Sequence, residues 1–155
     1  MRYSRQEKVI SLEKIKNCKV CVVGLGAIGS IAADLLARIG VGTIYLFDYD
    51  TVELHNIAGQ RFKEEDLGKP KVRIIEQELK KINSEIVVLG DNVKIVTHTQ
   101  LPKELNYIFS CVDNFTGRKV LLDYQKKVNS NVVIFDGGLS TPTVGTNQMY
   151  KKDGK

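Results

Sequence analysis

Residues 47 to 62, FDYDTVELHNIAGQRF, gather Asp48, Asp50, Glu53, His55, Asn56, Gln60 and Arg61 directly after the apolar run TIYLF. A connection that only turns the chain uses about two to six residues rich in glycine, asparagine or proline. This one carries acids, amides and a guanidinium, the groups that hold sugar hydroxyls, phosphates and metal ions. Upstream, GLGAIG places Gly24, Gly26 and Gly29 in a G-x-G-x-x-G hexapeptide. In that pattern the first glycine permits a tight turn, the second lets backbone approach a phosphate, and the third lets a helix pack close to a strand, with the anion at the positive helix end. Asp48 follows Gly29 by roughly 20 residues, the place of a carboxylate that takes ribose hydroxyls from the tip of the second strand. A nucleotide is the expectation, and Asp48 suits NAD and ATP alike. The second acid, Asp50, and the polar groups Asn56, Gln60 and Arg61 suit a triphosphate and its metal better than an adenine edge.

The elements around these residues read as alternating strand and helix. CKVCVVG is an apolar run ending in glycine, and Ile28, Ile31, Ala32, Leu35, Leu36 and Ile39 recur at helical spacing after it. Gly40 stands where a helix ends, and TIYLF is the second strand. KPKVRIIEQELKKIN reads as a helix with Val72, Ile75, Leu79 and Ile82 on one side. IVVLG, NVKIVT, YIFSC and VVIFDGG read as strands, and RKVLLDYQKKV as a helix. At the N-terminus, Ser4 and Glu7 have the spacing of a capping box ahead of Val9, Ile10, Leu12 and Ile15, which predicts a short helix. The fold class is therefore α/β, Rossmann-like, with a doubly wound, mainly parallel sheet and helices on both faces.

The 155 residues, 43% of them hydrophobic, suffice for one domain spanning 1–155. No long apolar window and no apolar stretch near the N-terminus point to a membrane or to secretion, so the expected location is cytoplasmic. Cys18 and Cys21 have half the spacing of a zinc site, but no second pair exists, and all three cysteines, Cys111 included, lie in apolar runs as reduced core thiols would. The net charge of +5 comes from scattered lysines without an arginine block, so no nucleic-acid partner is expected. His55 and His98 read as surface residues.

The chain resembles the ubiquitin-activating-enzyme-like adenylyltransferases of the ThiF, MoeB and HesA type. RYSRQ, VVGLGAIGS, GVGTIYLFDYDTVELHNIAGQ, LGKPKVRIIEQELKKIN and CVDNFTGRKVLLD occur in that family's order and spacing and cover essentially the whole chain. The resemblance implies ATP and Mg²⁺ as ligands and, as substrate, the C-terminal carboxylate of a ubiquitin-like sulfur carrier of the thiamine or molybdopterin type. It implies a homodimer as well. By resemblance Asp48 holds the ribose, Asn56 faces the phosphates, Lys71 neutralises phosphate charge, and Asp113 is linked to Mg²⁺ with Asn114 beside it. Arg5 matches an arginine that reaches into the partner's site, and Arg118 matches a residue supporting the loop of Asp113. Independently of any family, an acid such as Asp113 just past an apolar strand lies where ligands bind in parallel sheets.

The chain departs from the family's pattern in two places. Where N-L-x-R-Q is usual it reads NIAGQ, which puts Gly59 at the arginine and leaves Arg61, two residues on, to supply the charge. The family also continues past the last strand read here, which makes this chain the nucleotide-binding half of a longer protein or a short relative. Two alternatives stay open: the cofactor domain of an NAD-dependent oxidoreductase, and a catalytically inactive scaffold of the same fold.

Overall fold

The computed structural model describes residues 2–137 and 148–150. A short helix α1, Leu12–Lys16, leads into strand β1, Lys19–Val23, and helix α2, Ala27–Ile39. Strand β2, Thr43–Phe47, precedes a small helix α3, Leu54–Gly59, and the longer α4, Lys71–Ile82. Strand β3, Val87–Asp91, strand β4, Tyr107–Ser110, helix α5, Phe115–Lys127, and strands β5, Val133–Asp136, and β6, Gln148–Tyr150, complete the order. Strands β1 to β5 pair in parallel and β6 runs antiparallel to β5, in the spatial order β3-β2-β1-β4-β5-β6. The order reverses between β1 and β4, and in open α/β sheets the crevice at that reversal is where ligands sit.

Two apolar clusters hold the layers together. Val20, Val22, Ile44, Leu46 and Val88 on one sheet face meet Ala33 and Leu36 of α2 and Val72, Ile75 and Leu79 of α4. Cys21, Ile108 and Ile134 on the other face meet Val120, Leu121 and Tyr124 of α5. Each large apolar side chain buried this way contributes about 1.5–3 kcal/mol of transfer free energy.

The helix α2 is present as expected but turned about its axis. Ile31 and Leu35, from the apolar stripe read in the sequence, are 49% and 55% exposed, whereas Ser30 and Asp34 are buried. The cause is a close approach at Gly29, where an added Cβ would lie 1.8 Å from the Gly24 carbonyl oxygen. That contact presses the Gly29, Ala33, Leu36 line onto the sheet and leaves part of the greasier stripe facing outward.

Two further expectations fail. Residues 2–9 form turns, and the first helix begins at Leu12, with the Ser11 side chain accepting from the Lys14 N–H in place of the Ser4 and Glu7 box. Val9 is 83% exposed, so the segment has no apolar side to bury as a helix. Tyr3 anchors it instead, buried with its hydroxyl accepting from Asn83 Nδ2 at 2.7 Å. NVKIVT is not a strand: β3 is the sheet edge and ends at Asp91, and Val93 and Ile95 turn inward to pack beside the α5-side core.

Candidate nucleotide site

The carboxyl ends of the parallel strands open into one hollow. Gly24, Gly26, Ala27 and Ile28 form its floor, Asp48, Tyr49, Asp50, Gln60 and Lys71 one wall, and Cys111, Asp113, Asn114, Thr116 and Gly117 the opposite wall. Val93, Lys94 and Ile95 close the β3 end, and Gly137 lies at the β5 end. Asp48, Lys71 and Asp113 therefore share a single space.

The floor is a tight glycine turn that leads into the N-terminus of α2. Gly24 has φ +87°, a left-handed conformation in which an added Cβ would meet the Cys111 carbonyl oxygen at 2.6 Å. The chain then enters α2, whose first N–H groups have no partner within the helix and carry the positive end of its dipole. Asp48 fixes this turn from the side: its Oδ2 accepts the Leu25 N–H at 2.6 Å and its Oδ1 the Asp50 N–H at 2.8 Å. Burial pushes the Asp48 carboxyl above its ordinary value, opposed by those two backbone donors. Each oxygen keeps lone-pair capacity for a ribose hydroxyl.

The buried side chain of Lys71 starts α4 and lies 3.3 Å from the Asp50 carboxylate, with its ammonium 6.0 Å from the centre of the Phe62 ring. Asn114 caps α5 by accepting the Gly117 N–H at 2.8 Å and donates to Asp113 Oδ1 at 3.2 Å, which restrains the Asp113 carboxylate at the rim of the hollow. Arg118 reaches the Val112 carbonyl at 3.4 Å and Asp136 at 3.4 Å, bracing the same loop from below. The side-chain amide of Gln60 lies over Gly26, where an added Cβ would meet its Nε2 at 3.8 Å.

Several residues named in the sequence stand elsewhere. Arg61 is outside the hollow: its Nη1 is 2.7 Å from Oδ1 of the buried Asp34, whose Oδ2 is held by Arg38 Nε at 2.6 Å. The buried acid on α2 claims the guanidinium that the sequence reading assigned to phosphate. At Gly59 an added Cβ would touch nothing, so the position where the resemblance implies an arginine is open space. Asn56 is buried and its Oδ1 accepts the Glu53 N–H at 2.9 Å, which closes the first turn of α3, and it is not among the residues that line the hollow. Gly29 lies behind the floor in the packing role already described. Arg5 is exposed on the N-terminal turns; the resemblance assigns it to a partner's site and not to this chain's own hollow. The sequence reading missed Tyr49 and Lys94; an aromatic between two acids was a usable signal for the first, but Lys94 was hidden inside a run taken for strand.

The hollow suits an adenine nucleotide: the positive N-terminal turn of α2 on the floor, a carboxylate for sugar hydroxyls, ammonium groups, and apolar Val93 and Ile95 at one end. Among the described residues no group of three or more His, Cys, Asp or Glu side chains is placed to hold a metal by itself. A Mg²⁺ bound chiefly by phosphates and water needs only one or two carboxylates, which Asp113 can supply.

A family model described as ThiF family matches residues 3–151. Ubiquitin-like modifier-activating enzyme 5 of Aedes aegypti is 33% identical over 168 residues, covering 99% of this chain and 42% of that protein. The enzyme of the same name from Dictyostelium discoideum is 35% identical over 127 residues, 73% of this chain and 33% of that one. Among solved structures, E. coli MccB with ATP superposes with a TM-score of 0.78 at 32% identity, covering 90% of this chain and 45% of the MccB chain. E. coli tRNA N6-threonylcarbamoyladenosine dehydratase, TcdA, gives a TM-score of 0.80 at 25% identity over 92% of this chain and 62% of its own. The chain thus spans less than half the length of the modifier-activating enzymes and of MccB.

Proposed function

Because the chain belongs to the ThiF family of ubiquitin-activating-enzyme-like adenylyltransferases, we propose that it binds ATP and adenylates the C-terminal carboxylate of a small ubiquitin-like protein, of the sulfur-carrier type. The observation that carries this reading is the meeting of Asp48, Lys71 and Asp113 around one hollow over the glycine turn. In the reaction a carboxylate oxygen bonds to the α-phosphorus, the bond to the β-phosphate oxygen breaks, and pyrophosphate leaves. Both reactants are anions, so the protein's work is alignment and charge compensation, with no side-chain nucleophile required.

Asp48 takes the ribose hydroxyls and so sets the distance of the α-phosphate from the floor. The α2 N–H groups and Lys71 compensate phosphate charge, and binding of the polyanion draws Lys71 partly from Asp50. Asp113 and Asp50 are the carboxylates nearest to hand for Mg²⁺, which when bound would lower the charge on the leaving pyrophosphate. We place the reaction in the cytoplasm and in a homodimer; the outward Ile31 and Leu35 of α2 support a second copy packing there.

Pyrophosphate exchange into ATP tests the activity, with Mg²⁺ and a Gly-Gly-ended carrier protein, a short free peptide, or no acceptor. Exchange that requires the carrier supports the reading. Exchange with the peptide alone would reject the protein substrate, and a preference for NAD over ATP in direct binding would reject adenylation. ATP binding without exchange would favour the inactive-scaffold reading, which gains support from Arg61 facing Asp34 and Gly59 leaving its position empty. Sedimentation of the chain and of Leu35→Lys tests the dimer; a monomer at all concentrations in both would reject it.

A further inference from the structure

Charge in the hollow is unevenly satisfied. Among the described residues three carboxylates line it, Asp48, Asp50 and Asp113, against two ammonium groups, Lys71 and Lys94. Lys71 is buried and already sits 3.3 Å from Asp50. Lys94 differs in each respect: it is exposed, on the loop after β3, and among the described residues no carboxylate lies within ion-pair distance of it. Its ammonium rests 5.2 Å from the centre of the Tyr49 ring, beside the acid that would hold the ribose. A cation–π contact at an exposed site is worth only about 0.5–1 kcal/mol, so a polyanion readily outcompetes it. Arg61 cannot act in its place while its guanidinium is engaged by Asp34.

Resting on the proposed ATP site, we infer that Lys94 is a nucleotide-binding residue of this chain: it leaves the Tyr49 face and pairs with the phosphates of the bound nucleotide, a cation recruited from the β3 loop. The flexible four-carbon stem lets the ammonium move without a change in backbone. Tyr49 serves as its resting place and keeps it over the mouth.

The test is nucleotide affinity of the unaltered chain, Lys94→Met, Lys94→Arg and, as a control, Lys80→Met on the solvent side of α4, measured with adenosine, AMP, ADP and ATP at fixed Mg²⁺. One lost charge-assisted hydrogen bond corresponds to about a tenfold rise in the Kd for ATP. In Lys94→Met the loss should be smallest for adenosine and grow with phosphate number and with falling salt, while Lys94→Arg recovers most of it and Lys80→Met changes nothing. An equal loss for adenosine and ATP would overturn the inference, because the contact would then be to the base or sugar. Unchanged ATP affinity in Lys94→Met would overturn it too, leaving the adenylation reading standing. Failure of the unaltered chain to bind ATP would remove both.

Discussion

Replacing Arg61 by alanine separates two accounts of this residue, one in which it anchors the fold and one in which it faces phosphate. The Asp34 side chain is 8% exposed and contacted by Arg38 Nε at 2.6 Å and Arg61 Nη1 at 2.7 Å. Breaking a fully buried ion pair costs about 3–5 kcal/mol, and an exposed one contributes about 0.2–1 kcal/mol. Here the acid keeps Arg38, and Arg61 is itself 33% exposed, so the cost falls between those limits, at about 1–2 kcal/mol. With an ordinary urea dependence of about 2 kcal/mol per molar, the midpoint should fall by about 0.5–1 M. Far-UV circular dichroism is the suitable signal, since the chain has no tryptophan. A double-mutant cycle with Asp34→Asn should show that most of the loss disappears once the acid is neutral. ATP affinity should stay within a factor of about two, less than one ordinary hydrogen bond. An unchanged urea midpoint together with weakened ATP binding would refute the reasoning and return Arg61 to the phosphates.

Gly29→Ala forces a Cβ to within 1.8 Å of the Gly24 carbonyl oxygen, so α2 must lift from the turn; nucleotide binding and thermal stability should both fall sharply, and normal ATP affinity in this variant would contradict the described floor. Burial pushes the Cys111 thiol up to about 12, with the charge of Asp136 adding to it, and burial raises Cys21 further still. Iodoacetamide at pH 8 should therefore leave the buried Cys21 unlabelled by peptide mass spectrometry until urea is added and modify Cys111, in the wall of the hollow, only slowly; labelling of Cys111 as fast as a free thiol would count against its placement. Burial raises the carboxyls of both Asp34 and Glu76, but hydrogen bonds from Arg38 and Arg61 in one case and Lys80 and Arg73 in the other outweigh it and hold both below the usual range. Their stabilisation is then complete above the unfolded carboxylate values, about 3.9 and 4.3, and is lost as pH falls through the lower folded ones. Glu76→Gln should lessen the steepness of acid unfolding below about pH 4, and an identical pH profile would show that the pairs contribute nothing.

The alternation of the parallel strands with α2, α4 and α5 was legible because those apolar runs keep their period on folding. The orientation of α2 was not. Six apolar residues at helical spacing announce a helix, but which side meets the sheet was decided by a single steric contact, Gly29 against Gly24, that ranks small residues above large ones. The same limit hid Asp34: an acid in an apolar helix reads as solvated until its two arginine partners are seen in space. In the site, Asp48, Asp50 and Asp113 were recoverable because they follow the ends of β2 and β4, whereas Lys71, at the start of α4, was recoverable only through the family resemblance. Asn56 and Arg61 were misjudged because residue type announces hydrogen-bonding capacity, not direction. NVKIVT has strand chemistry, but among the described residues no strand lies beyond the β3 edge for it to pair with, and Lys94 went unnoticed with it.

The glycine turn is pinned twice, by Asp48 on the Leu25 amide and by Gly29 lying against the Gly24 carbonyl. A turn held at both ends has little left to freeze when a guest arrives. Its amides are aimed in advance, so the entropic toll of encounter falls on mobile side chains at the rim, and deuterium uptake at Leu25 should be as slow in the empty protein as in the filled one.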